Sequence, residues 1–302
     1  MEGHPRISEL LLEVGGYSDK SDPVILADGR LGIYYVNTEM LIQDGVEWKK
    51  EKYTENSAAM IDHAVRMTQE HTSFGEVIKI LTDDVRGKFT MKDHVVISGL
   101  QRRDWPFSGP VARELNLSHV SLYKDGKIEV VDPRGNVFDA SRFADEGYRS
   151  IHVSDLLTGG SSAYRDDGRS GWLPSLRDIG IVCSDLFVVV DRLQGGGEML
   201  RGHNVDTNAY VYIDEDFLGK NSNDVPRAVE YNKNSDLWSR NYLEANGALA
   251  FLGDFNPDGG RLDKAKAFIK RYSGHLGEVG KYDELAGAVH GKYDKSLTEI
   301  LG

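Results

Sequence analysis

Leu186-Phe187-Val188-Val189-Val190 sets five apolar side chains in succession and ends at the charged pair Asp191-Arg192. Successive residues of a strand face opposite sides of its sheet, so a short run that is apolar at every position is covered on both faces. A parallel sheet with helices on either side meets that condition, and the flanking pattern agrees. His94 to Ser98 is β-rich, Pro110 to Leu115 helical, Val120 to Tyr123 strand-like, Ser150 to Val153 a buried strand, Leu176 to Gly180 part of a helix, and Val205 to Ile213 a further strand. This alternation predicts a doubly wound α/β sheet over about residues 93 to 218. Lys127 to Asp139, centred on Pro133-Arg134-Gly135-Asn136, reads as an inserted hairpin.

Outside that stretch, residues 8 to 17 read as a short helix. Val24 to Leu26 and Ile33 to Asn37 form a hairpin around Asp28-Gly29-Arg30, and Asn56 caps an amphipathic helical stretch reaching Leu81. Gly219 to Asp224 reads as a linker, and beyond it Leu237 to Leu252, Asp263 to Leu276 and a set ending at Leu301 are helical. For a chain of 302 residues these shifts predict an α/β domain over 1 to 220, its first 55 or so residues a small N-terminal hood, and a helical extension over 221 to 302.

Charge and cysteine usage narrow the function classes. A net charge of −12 argues against a broad nucleic-acid footprint, because phosphate contacts need a positive face. The single cysteine, Cys183, has no partner for a disulfide and reads as a small buried residue, which suits a reducing compartment. With no apolar run near 18 residues and a polar N-terminus, the expectation is a cytoplasmic protein without a membrane partner.

The chemistry concentrates in Ile151-His152-Val153-Ser154-Asp155-Leu156-Leu157-Thr158-Gly159-Gly160-Ser161-Ser162. An apolar strand ends in an acid and opens into a loop of hydroxyls and glycines. The glycines let backbone N–H groups turn inward, Thr158, Ser161 and Ser162 add hydroxyl donors, and a following helix N-terminus would add its dipole. Asp155 at the strand end would accept hydrogen bonds from sugar hydroxyls beside a phosphate. On composition alone, a plain connection between strand and helix is the competing reading.

Four stretches together resemble the orotate phosphoribosyltransferase branch of the type I phosphoribosyltransferases, over roughly residues 20 to 220. Ser154 to Ser162 matches that family's phosphoribosyl pyrophosphate (PRPP) signature at all but the first acid. Val188 to Gly196 is similar to its strand ending in Asp-Arg-x-Gln with glycines. Leu26 to Asn37 is similar to its N-terminal hairpin, and Val95 to Gly99 with Gln101-Arg102-Arg103-Asp104 and Pro106 to Ala112 to its strand, pyrophosphate loop and helix. The resemblance implies a central, mainly parallel sheet flanked by helices, and Mg2+-dependent transfer of the phosphoribosyl group from PRPP to a nucleobase, orotate first, in a homodimer. It assigns Ser154, Asp155, Thr158, Gly159, Gly160, Ser161, Ser162, Arg102 and Arg103 to PRPP, and Tyr34, Tyr35 and Arg192 to the base. Asp155, Lys124 and Lys127 become the catalytic candidates, with Asp155 reaching the metal only through Mg-PRPP, since magnesium of this kind needs few protein ligands.

The departures fall at functional positions. Ser154 stands in place of the first acid, Ala27 in place of a lysine, and Tyr123-Lys124 in place of Arg-Lys; the hairpin Lys127 to Asp139 replaces a loop bearing a catalytic lysine and histidine, with Lys127 and Arg134 as substitutes. A transferase for another base, or a PRPP- or nucleotide-binding regulatory protein without turnover, are therefore alternatives. Asp254 to Gly259 begins like a calcium loop but has Ala265 where a bidentate glutamate belongs, so it reads as a polar turn. The histidines show no metal-ligand spacing and read as surface or packed residues.

Overall fold

The computed structural model describes residues 3–26, 28–45, 56–90, 93–140, 147–165 and 167–302. Ala27, part of the hood (46–55) and part of the segment after the inserted hairpin (141–146) lie outside the described residues. The chain divides into two compact units, Met1–Tyr17 with Val36–Phe217, and Ser18–Tyr35 with Leu218–Gly302. The hairpin expected in a hood of the α/β domain thus groups with the C-terminal residues.

The elements run α1 (Pro5–Glu13), β1 (Tyr17–Ile25), β2 (Leu31–Val36), α2 (Ser57–Glu70), α3 (Thr72–Arg86), β3 (Val95–Leu100), α4 (Trp105–Glu114) and β4 (His119–Leu122). There follow β5 (Ile128–Val131), β6 (Val137–Asp139), β7 (Arg149–Leu157), α5 (Trp172–Asp178), β8 (Val182–Asp191), α6 (Gly196–Gly202) and β9 (Asp206–Tyr212). The rest is helical: α7 (Glu215–Asn221), α8 (Val225–Lys233), α9 (Ser235–Asn246), α10 (Leu262–Glu278), α11 (Tyr282–Tyr293) and α12 (Leu297–Leu301).

The first unit is built on a seven-stranded sheet of order β6-β5-β4-β3-β7-β8-β9. β3, β4, β7, β8 and β9 pair in parallel, and the inserted hairpin β5-β6 adds two antiparallel strands at one edge. This is the mainly parallel, helix-flanked sheet that the sequence predicts. Leu186 to Val190 is buried throughout, as the double-faced apolar run requires. Trp172, Leu173 and Leu176 of α5 join Val96, Val120, Leu122, Leu186 and Val188 in one apolar cluster. α4 packs on β3 and α2 on α4. Gly99 permits close approach of β3 and α4, because a Cβ there would lie 2.2 Å from Ser108 Oγ.

Helix boundaries differ from the sequence reading. The expected helix over 8 to 17 is α1, ending at Glu13, with Gly15 at φ +71° in a backbone region that favours glycine. The stretch from Asn56 to Leu81 is two helices parted at His71, whose backbone is extended. Asp44 fixes the break: its carboxylate meets His71 Nδ1 at 3.1 Å and accepts from Ser73 N at 3.1 Å.

The second unit holds the β1-β2 hairpin residues and the C-terminal helices. Tyr34 is fully buried, donates its hydroxyl hydrogen bond to Asn232 Oδ1 and meets Tyr231 edge-on at 5.5 Å. Phe255, Phe268 and Tyr272 are also fully buried, forming the core of the extension. Residues 219–221, read as linker, belong to α7, and the expected helix over 237 to 252 ends at Asn246 and gives way to a 3-10 segment, Leu249–Phe255. Asp254 accepts from Arg261 at 3.2 Å and Ala265 is buried in α10, so this is a polar turn. Among the described residues no helix is long and apolar enough to cross a membrane.

Candidate functional site

In a parallel sheet the strand ends carry the connecting loops to one edge, and the crevice there is where such folds bind ligands. β3 ends in the turn Gln101–Asp104, β7 in the Thr158–Ser162 loop, and β8 in Asp191-Arg192 followed by glycines. The last two are knit together: Arg192 N donates to Leu157 O at 3.0 Å and Gly196 N to Thr158 O at 2.9 Å. A Cβ on Gly196 would lie 2.4 Å from Thr158 O, so glycine is needed for this approach. Gly160, at φ +79°, turns the loop back, and Ala163 N and Tyr164 N both bond to its carbonyl.

Asp155 is 5% exposed at the loop's entrance. Its Oδ2 accepts from Thr38 Oγ1 at 2.8 Å and pairs with Arg103 Nε at 3.1 Å, and the same nitrogen meets Glu39 Oε1 at 3.1 Å. Burial pushes the Asp155 carboxyl up to about 6 against the pull of Arg103, and the Asp104 charge adds to the rise. The candidates Asp155 and Arg103 thus meet directly, while Thr38 and Glu39, which follow β2, are members that sequence reasoning missed.

Asp104 is the other omission. Its Oδ1 accepts from Ser154 Oγ at 2.8 Å and from Asp155 N at 3.2 Å; its Oδ2 accepts from Leu100 N at 2.9 Å and faces His152 Nε2 at 3.3 Å. Burial works against the charge, but His152, the Leu100 amide and the Ser154 hydroxyl outweigh it and hold this carboxyl below its usual range. Ser154, the residue in place of an acid, is therefore hydrogen-bonded to a carboxylate supplied by the turn after β3. His152 stacks on Trp172 at 3.9 Å and shares its Nδ1 with Ser98 Oγ at 2.8 Å, so this histidine is a packed core residue. His119, between Ser108 and Ser121 hydroxyls at 2.8 Å each, is driven by burial down to about 3 and stays neutral.

The remaining candidates are spread more widely. Arg192 is buried at the end of β8, and Tyr35 is 43% exposed. Arg102 lies in the turn after β3, joined to Arg103, and the peptide between Gln101 and Arg102 is cis. Lys124 follows β4, its amide donating to Gln101 Oε1 at 3.3 Å. The β4-β5 connection is a tight turn: Gly126 N bonds to Tyr123 O at 3.2 Å and Tyr123 N to Lys127 O at 2.9 Å. Lys127 is bound to Glu129 at 2.7 Å, which raises its pKa, and lies over the Tyr123 ring at 4.8 Å. Arg134 sits in the β5-β6 turn, its amide donating to Asp132 Oδ1 at 2.9 Å.

One expectation fails outright. No helix begins directly after Ser162: α5 starts at Trp172, and residues 163–165 and 167–171 belong to a separate excursion. Its ends close on the loop through Trp172 N to Ser162 O at 3.1 Å and Leu173 N to Ala163 O at 3.1 Å. An anion at this loop would meet backbone amides and hydroxyls, without the N-terminus of α5 that the sequence reading adds to them.

Among the described residues no group of three or more His, Cys, Asp or Glu is arranged to hold a metal. The donors at the cradle are hard oxygens: the Asp155 carboxylate with hydroxyls around it, and the Glu39 and Asp104 carboxylates close by. That set fits a magnesium ion whose ligands come mainly from phosphate oxygens and water.

No protein-family model matches this chain, and no curated protein does. Among solved structures it is similar to the orotate phosphoribosyltransferase of Aeropyrum pernix, at 18% identity over 71% of this chain and 98% of that one, with a TM-score of 0.47. The orotate phosphoribosyltransferase of Mycobacterium tuberculosis H37Rv in complex with PRPP gives 16% identity over 71% and 99%, TM-score 0.43. The adenine phosphoribosyltransferase of Leishmania donovani gives 14% over 70% and 80%, TM-score 0.43.

Proposed function

We propose that the chain is a phosphoribosyltransferase that moves the 5-phosphoribosyl group of PRPP to a nucleobase, with orotate the first acceptor to test, acting in the cytoplasm as a homodimer. The observation that carries the reading is the buried Asp155 carboxylate at the entrance of the Thr158–Ser162 loop, beside Arg103. In the reaction a ring nitrogen forms the N–C1 bond while the C1–O bond to pyrophosphate breaks; the electron pair leaves on the pyrophosphate oxygen, and the ring proton passes to solvent. Thr158, Ser161, Ser162 and the amides around Gly159 and Gly160 hold the 5′-phosphate. Asp155 accepts from ribose hydroxyls and sets negative charge against the cationic sugar of the transition state. For that it must exchange Thr38 and Arg103 for substrate, which frees Arg103, with Arg102, for pyrophosphate oxygens. Lys124 and Lys127 add positive charge, and Arg192 at the end of β8 is assigned to the base; Tyr34, fully buried with its hydroxyl on Asn232, is a packing residue instead. Magnesium, held by PRPP oxygens with Asp155 nearby, would neutralise the departing diphosphate.

A second reading has its own observation. The β4-β5 connection is only the tight Lys124–Lys127 turn, and Asp155 is already engaged by Thr38 and Arg103. A protein that binds PRPP or a nucleotide without turnover fits this. Pyrophosphate release from PRPP with magnesium, measured with orotate, uracil, each common purine base or no base, in wild type and Asp155→Asn, separates the two. Release that needs one base and is lost in the variant establishes the transferase and names its acceptor. Saturable PRPP binding with no release refutes transfer to every base tried.

A further inference from the structure

A cavity of about 570 Å³ lies against the Ser161-Ser162 end of the loop, within the usual range for small-ligand sites. Lys124 borders it from the turn after β4, and Arg165, Arg169 and Ser170 from the excursion between the loop and α5. Asp125 and Asp178 share the wall, so cations exceed carboxylates there by three to two, in a chain whose net charge is −12. Among the described residues, neither the Lys124 ammonium nor the Arg169 guanidinium has a hydrogen-bond or ion-pair partner.

The arginines are carried on a closed frame. Arg165 N bonds to Ser170 O at 3.0 Å and Gly168 N to Arg165 O at 2.9 Å; Asp167 Oδ1 accepts from the amides of Arg169 and Ser170, at 2.8 Å each. The Ser170 hydroxyl, which donates to Asp167 Oδ2, and these two amides hold the Asp167 carboxyl down at about 2. Gly171, at φ +122°, brings the segment back so closely that a Cβ would lie 2.3 Å from Ala163 O. A frame ordered in advance loses little freedom on binding, and guanidinium forks suit paired phosphate oxygens.

We propose that Arg165 and Arg169, with Lys124, form a diphosphate-binding wall of this cavity that takes the pyrophosphate end of PRPP or free pyrophosphate. The assignment to PRPP rests on the transferase reading. Arg165 and Arg169 add, from a different element, to the positive charge that Lys124 brings from the short β4-β5 turn.

Calorimetric titration of the full chain with inorganic pyrophosphate, ribose 5-phosphate and PRPP, each with magnesium, tests it in wild type, Arg165→Gln/Arg169→Gln and Arg169→Glu. Both arginines are exposed, and thermal unfolding of each variant confirms that it folds. The expected result is pyrophosphate and PRPP binding weakened at least tenfold in the double variant and further by the charge reversal, with ribose 5-phosphate unchanged. Unchanged pyrophosphate binding in folded variants overturns the proposal, as does equal weakening of all three ligands, which would mean the excursion only shapes the loop. Failure of the transferase reading shows itself separately: wild type then gives no base-dependent release, while arginine-dependent pyrophosphate binding persists.

Discussion

Asp155→Asn has an effect on stability that can be worked out in advance. Asparagine has nearly the shape of the protonated acid and keeps a carbonyl oxygen for Thr38 and Arg103, so the variant mimics wild type with the proton permanently in place. In the fold the carboxyl titrates at about 6 rather than 3.8. Well below pH 3.8 both states hold the proton and it contributes nothing to the pH dependence. As pH rises the unfolded chain releases it first, so stability falls with pH until about 6 and stays at the lower level beyond. The whole fall is worth about 3 kcal/mol at about 1.4 kcal/mol per tenfold, and about 2 kcal/mol of it lies between pH 4.5 and 7.5. For a unit of this size that is a relative gain of about 4 to 8 °C in melting temperature for the variant at the higher pH. Calorimetric unfolding of both proteins at the two pH values measures it. A variant-minus-wild-type difference that is the same at pH 4.5 and 7.5 would refute the claim that burial strains this carboxylate. Together with the expected loss of turnover, a gain in stability would mark Asp155 as a residue kept at a cost to the fold.

Asp104→Ala should be the opposite case, losing about 3 to 5 kcal/mol in urea unfolding, because the Leu100 amide, the Asp155 amide, the Ser154 hydroxyl and His152 lose a buried acceptor together; a loss under 1 kcal/mol would contradict the account of that carboxylate. Gly196→Ala must push Thr158 aside, so PRPP affinity should drop at least tenfold with a stability loss of about 1 to 3 kcal/mol, and unchanged affinity would show that the two loops are not coupled. Cys183, buried and pushed up to about 12, should resist a thiol reagent in the native protein and react fully in urea; rapid native reaction would place it at the surface.

The sheet was legible because its cause is local. Leu186 to Val190 is apolar at every position, and no arrangement of the rest of the chain changes what such a run requires. The helix boundaries were not, because their causes are remote: His71 ends one helix and starts the next through Asp44, which is distant in sequence. Nothing in residues 56–86 announces that partner. The excursion between Ser162 and α5 escaped for a related reason. Its polar, glycine-containing sequence extends the Thr158–Ser162 loop without a change of composition, and only the bonds closing it reveal a separate element.

Ser154 shows where a linear motif and a site part company. Read along the chain, its hydroxyl in place of an acid removes a negative charge from the signature. Read in space, the hydroxyl donates to Asp104, so a carboxylate still stands beside Asp155, supplied by the turn after β3 and held by three donors, with His152 Nε2 facing it at 3.3 Å. The two acids then divide the work by environment. Asp104, surrounded by donors, stays charged and fixes the ends of β3 and β7 to each other, whereas Asp155, buried with fewer partners, titrates near 6 and can change partners. A serine at 154 is what lets the second acid come from another strand, since an acid there would set a third carboxylate against the two already present.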